Sequence, residues 1–150
     1  MADIKQLTVV KNMAKTKEQA ALRQFSSAQQ QLSRMQQQLN SLNDYKKDYL
    51  IQMQPDQSSR VTAGKLILLQ NFLAKIDQSI TQQRDVIARA SLAVDARRQE
   101  WLKAKQYFES IEFLINKQLD QARQIEQKQQ QKLSDEFSMM SFHRRRNSTR

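Results

Sequence analysis

QPDQSSRVTAGK, residues 54–65, contains the only proline and the only glycine in a chain of 150 residues. Proline removes a backbone donor and clashes inside a helix, and glycine tolerates backbone angles that other residues avoid. Ser58, Ser59 and Thr62 are N-cap candidates for whatever helix follows. The stretch is a turn, and nothing else in the chain punctuates so strongly.

Downstream of the turn the apolar residues keep a heptad. With Leu73 at position a, the a positions are Leu73, Ile80, Ile87, Val94, Trp101, Phe108, Ile115 and Ala122. The d positions run Leu69, Ile76, Gln83, Ala90, Arg97, Ala104, Ile111, Gln118 and Ile125, with Gln83, Arg97 and Gln118 as polar interruptions. Sustained 3-4 spacing of this kind marks a coiled coil. Upstream the pattern repeats: Phe25, Leu32 and Leu39 at a, and Leu7, Ala14, Ala21, Ala28, Met35, Leu42 and Tyr49 at d. Lys11, Glu18 and Lys46 fall at a, which weakens this seam, most of all towards its N-terminal end.

Two heptad runs joined by one turn predict an all-α fold: two long helices in an antiparallel coiled-coil hairpin. The expected helices cover about 4–53 and about 66–137, with the turn at about 54–65. One register sets Met53 against Leu69, Tyr49 against Leu73, Leu42 against Ile80 and Met35 against Ile87. It also sets small against large, with Ala14 facing Phe108, Ala21 facing Trp101 and Ala28 facing Val94, as close packing requires. In this register residues beyond Gln121 find no partner on the first helix, so the second helix overhangs by about 15 residues, roughly 22 Å. A lone polar helix is marginal in water and is expected to fray unless bound. Residues 138–150 read as a disordered basic tail.

Composition narrows the function. Hydrophobic residues make up 39% of the chain, enough for a seam and too few for a thick core. There is no cysteine, and the N-terminus MADIKQLTVVK carries no apolar segment suited to a signal peptide. The longest aliphatic run, LILL at 66–69, falls far short of the ~20 residues of a membrane span. A cytoplasmic protein is expected. The stretch SRVTAGKL only echoes a phosphate-binding loop, because that motif needs glycine where Ser59 stands and Ser or Thr where Leu66 stands. His143 is the only histidine, so neither a histidine pair for a metal nor a Ser/His arrangement is available. No enzyme, metal or cofactor is expected, and the protein should act by contact.

Beside the seam lies a stripe of different chemistry. Gln38 and Tyr45 are g residues and Leu42 and Tyr49 are d residues on the first helix; Phe72 and Ser79 are g and Ile76 and Gln83 are d on the second. The g residues of antiparallel helices flank the same edge, so all eight share it. Aromatics clustered on a two-helix body suit interface anchors, and a tyrosine hydroxyl asks for water or a partner. The alternative is that Tyr45 and Phe72 thicken the seam near the turn.

LNDYKKDYL at 42–50, QNFLAKIDQSITQQ at 70–83, the tryptophan in RRQEWLKAK at 97–105 and QKLSDEF at 131–137 form an ordered set. In that order and spacing the chain resembles the flagellar export family FliJ over nearly its whole length. The resemblance implies an antiparallel coiled coil similar to the central stalk of rotary ATP synthases, in the cytoplasm at the flagellar type III secretion apparatus. Its implied partners are the hexameric export ATPase FliI, the membrane export gate protein FlhA and the export chaperones, with peripheral membrane association through them. The family's gate-binding patch matches this sequence at Gln38, Leu42, Tyr45, Tyr49 and Phe72. Ile76, Ser79 and Gln83 hold further patch positions with residue types that depart from the family's. By the same resemblance the terminal end would enter the ATPase ring, with Lys11, Lys15, Arg123 and Lys128 as candidate contacts by geometry.

Charge supports a rival class. Twenty-five Lys and Arg against 15 Asp and Glu give +10, and Arg144, Arg145, Arg146 and Arg150 crowd the tail HRRRNSTR. A basic coiled-coil adaptor for anionic membrane or nucleic acid would use that field. Nucleic acid is not the expected partner, since base-stacking groups are scarce outside the tyrosine strip. The equivalent stalk of a virulence-type secretion system differs only in its partners.

Overall fold

A computed structural model describes residues 3–54 and 62–148. Pro55, Ser58 and Ser59 lie outside the described residues. Within them the chain forms two helices, α1 (Ile4–Gln52) and α2 (Ala63–Ser148), and no strand. The two pack against each other antiparallel as an all-α helical hairpin.

Contacts divide the chain into two compact units, Met1–Thr16 with Lys105–Arg150, and Lys17–Ala104. In the second unit Leu69, Ile80 and Val94 are buried, and half-buried residues along α1 and just past its end include Ala21, Phe25, Ala28, Leu32, Met35, Leu39, Leu42, Lys46, Tyr49 and Met53. Every one is an a or d position. In the first unit Leu7 packs with Ile111 and Ile115, with Val10 against them, and Ala14 is the most enclosed buried residue, at 2% exposure. All seven buried residues among those described occupy a or d. A side chain of the Leu or Ile class contributes about 1.5–3 kcal/mol when fully buried. A narrow seam of such residues therefore carries the apolar stabilisation.

The polar a positions are not gaps. Lys11 Nζ reaches Glu112 Oε2 at 3.9 Å, and Lys46 Nζ reaches Asp77 Oδ1 at 2.8 Å. Trp101 Nε1 donates to Glu18 Oε1 at 2.8 Å, so a polar a residue on α1 satisfies the indole of an a residue on α2. The Trp101 ring also stacks on Phe25 with centroids 5.7 Å apart. Glu18 and Phe25 bracket Ala21 by one turn on either side. Trp101 thus lies across the turn that a small residue opens.

The three polar d residues do not all behave alike. Gln83 stays half-buried, and Gln118 likewise. Arg97 leaves the seam: its Nη1 donates to Gln24 Oε1 at 2.8 Å and to Glu100 Oε2 at 3.1 Å, both near the surface. A guanidinium needs partners or water on every nitrogen, and the edge of a two-helix pair supplies both.

Three expectations are corrected. First, α2 begins at Ala63, capped by Thr62, whose Oγ1 accepts from Lys65 N at 3.3 Å while its carbonyl accepts from Leu66 N at 3.1 Å. Second, Gly64 is a first-turn helical residue with negative φ, not a special turn residue. Third, α2 continues to Ser148, where the second helix was expected to end at about 137. No proline or glycine follows Gly64, and Gln, Lys, Glu, Met and Arg all favour helix. Arg145 and Arg146 sit in the last turn, where positive charge complements the helix dipole.

A Cβ added at Gly64 meets nothing within 4 Å. Gly64→Ala therefore removes unfolded-state freedom without strain and is expected to raise stability by about 0.5–1 kcal/mol in urea denaturation. A loss of stability would show that the glycine is needed by the turn.

Candidate binding strip

All eight strip residues lie in the Lys17–Ala104 unit, on the edge that the heptad assigns them. Tyr49 stacks on Phe72 across the seam, with ring centroids 6.0 Å apart and planes 7° from parallel. About three turns away Gln83 Nε2 donates to the Met35 carbonyl at 2.9 Å and to Gln38 Oε1 at 3.1 Å. These cross-helix contacts fix the register of the strip at both ends. Between them Leu42 and Ile76 are half-buried seam residues, and Ser79 is exposed.

Tyr45 is 59% exposed and Phe72 44%. The idea that they merely thicken the seam does not fit Tyr45, which extends away from it. Phe72 divides its surface between the stack on Tyr49 and solvent. The other edge of the same stretch is closed by the Lys46–Asp77 ion pair. One edge of the hairpin is thus ionic and the other aromatic.

Some strip neighbours were not singled out from sequence. Leu68 is exposed and precedes Phe72 by one turn, so the two share a face and extend the apolar surface towards the turn. Its signal was present in LILL, where it counted only as part of an aliphatic run. Ser41, Asp44 and Asp48 line a shallow depression with Tyr45. The i−1 and i+3 carboxylates beside an exposed tyrosine were equally visible, but their geometry needs the helix to be drawn.

The candidate ATPase contacts separate into two kinds. Lys11 is half-buried and engaged with Glu112, and Arg123 Nη1 lies 3.8 Å from Asp120 Oδ1 on its own helix. Lys15 and Lys128 are exposed. Among the described residues there is no group of three or more His, Cys, Asp or Glu suited to a metal ion, and no helix is long and apolar enough to cross a membrane.

Fold and sequence together define a class: a two-helix coiled-coil hairpin that exposes Tyr45 and Phe72. A model of the flagellar FliJ protein family matches residues 4–147. The flagellar FliJ protein of Escherichia coli (strain K12) is 26% identical over 145 residues, covering 97% of this chain and 99% of that relative. The flagellar FliJ protein of Salmonella typhi is 24% identical over the same length, with the same coverage. The chain belongs to the FliJ family and is a flagellar export component.

The Tyr49–Phe72 stack holds one end of the strip. A double-mutant cycle on Tyr49→Ala and Phe72→Ala should return a coupling of about 0.5–1.5 kcal/mol in thermal or urea unfolding. Additive effects would mean that the rings are neighbours without mutual stabilisation.

Proposed function

We propose that this chain is a non-enzymatic coiled-coil stalk of the flagellar type III export apparatus. It engages the hexameric export ATPase FliI, contacts the export gate protein FlhA, and escorts export chaperones. The observation that carries the reading is the aromatic edge of exposed Tyr45 and Phe72 with half-buried Tyr49 on a FliJ-family hairpin. Gate docking uses Gln38, Leu42, Tyr45, Tyr49, Phe72, Ile76, Ser79 and Gln83. The rings supply apolar area and Gln38 and Ser79 supply polar handles. Burying about 100 Å² of apolar area per ring contributes roughly 2.5 kcal/mol, the size of an interface hot spot.

The ATPase contact uses the unit that carries both termini. Lys15 and Lys128 reach solvent, whereas Lys11 and Arg123 would exchange a present ion pair for a new one. Membrane association, on this reading, runs through the partners. The export cargo passes to the gate on its chaperones, and this chain brings the pieces together.

Tyr45→Ala combined with Phe72→Ala is expected to weaken binding of the cytoplasmic part of FlhA by at least about 30-fold, with helicity by circular dichroism unchanged. Unfolding of the variant would return the two rings to the seam, and full binding by a folded variant would move the gate site elsewhere.

A second test addresses the ATPase. The full chain should stimulate steady-state ATP hydrolysis by FliI, and a chain ended after Ala122, which keeps the buried seam, should lose that stimulation. Equal stimulation by both forms would exclude the overhanging helix from the ring.

A further inference from the structure

From Leu119 to Ser148 every residue except Ser141 is exposed, and the last three turns have a chemistry of their own. No acidic residue follows Glu136. Phe137 is 72% exposed, and Met139, Met140 and Phe142 are each about two-thirds exposed. His143, Arg144, Arg145 and Arg146 come immediately after, with the His143 ring edge-on to Phe142 at 6.3 Å. Phe137, Ser138, Ser141, Phe142 and Arg145 line a shallow notch.

We infer that residues 137–148 are a direct docking element for an anionic phospholipid bilayer. Four large apolar side chains on one short, acid-free helical segment gain little from water. The guanidiniums beside them fit phosphate, and their stems lie along apolar surface while the charged heads reach a headgroup. Phenyl and thioether groups enter the boundary between headgroups and acyl chains, and the notch offers Ser138, Ser141 and Arg145 to a phosphodiester. A single weak apolar anchor holds a protein to membrane only reversibly, and a basic patch beside it is the second signal that makes attachment stable.

The apolar component separates this partner from nucleic acid. Backbone phosphates of DNA or RNA reward the arginines alike, but they give the two methionines nothing to bury in. Only a surface that is anionic outside and apolar just beneath uses both halves of the segment. The inference goes beyond the proposed function, in which the membrane is reached only through protein partners; residues 137–148 cannot lie on a bilayer and inside the ATPase ring at once, so the two contacts alternate, and the inference stands if the gate or ATPase reading fails.

Flotation of the full chain with vesicles is the test, comparing phosphatidylcholine alone with phosphatidylcholine containing phosphatidylglycerol. The wild-type chain is expected on the anionic vesicles, released as salt rises, and not on the neutral ones. Arg144→Gln, Arg145→Gln and Arg146→Gln together should weaken partition about 100-fold, from a factor of roughly five per charge. Phe137→Ser with Phe142→Ser should weaken it at least tenfold. Both variants lie outside the buried seam, and unchanged circular dichroism confirms that each is folded. Absence of wild-type binding to anionic vesicles overturns the inference. Full binding by the phenylalanine variant also overturns it, because charge alone then suffices and duplex DNA should bind that variant as well. Full binding by the arginine variant overturns it too, by assigning the lipid contact to another surface.

Discussion

Everything in this molecule hangs on a seam one layer thick. Two helices have no third element to close over them, so each a or d side chain is both core and near-surface. An unsatisfied polar group there would cost more than it does at a solvated position. The chain meets that constraint at Lys11, Glu18 and Lys46, where α1 breaks its apolar repeat and α2 answers with Glu112, Trp101 and Asp77. The two lysines use the same geometry, an a residue reaching an e-position carboxylate. The exposed ion pairs add little stability on their own. Their larger effect is on register, because a slip along the hairpin would separate each lysine from its carboxylate.

Register in turn makes the strip possible. Tyr45 and Phe72 come from opposite helices and are separated by the whole turn in sequence, yet the hairpin holds them on one edge. Gln83 spanning to Met35 and Gln38, and Tyr49 lying flat on Phe72, pin that edge from both ends. A preorganised surface loses less freedom when a partner arrives than a mobile one does. The two edges of this stretch differ in chemistry: the Lys46–Asp77 ion pair lies on one, and the Tyr49–Phe72 stack on the other.

How far the sequence could be read depends on how far the seam extends. From Leu7 to Gln118 the heptad assigned the inward positions on both helices, with Arg97 as the exception, because burial in a two-helix pair is dictated by period alone. Arg97 departs because its own flexibility lets it reach Gln24 and Glu100. Cross-helix partners such as Glu18 with Trp101 were harder, since a polar a residue reads as a defect until its counterpart is placed. At Gly64 residue identity misled: glycine permits a turn conformation without requiring one, and Thr62 caps the helix just before it. The C-terminal segment was misread for a related reason. Arginine, serine and asparagine look like a disordered tail by composition, while the helix propensity of methionine and arginine and the last-turn charge favour continuing α2.

Where the seam ends, the logic of the chain changes. Beyond Gln118 the heptad positions become Ala122, Ile125, Gln129, Lys132, Glu136, Met139 and His143, and a coiled-coil partner would find little to bury. The large apolar residues Leu133, Phe137 and Met140 instead follow helical spacing off the heptad, all well exposed. A helix that abandons the seam pattern yet keeps exposed phenylalanine and methionine is not suited to pairing with another copy of α1. The two ends of the pattern thus differ in kind: along the seam two helices together set where an apolar side chain lies, and beyond it one helix alone does.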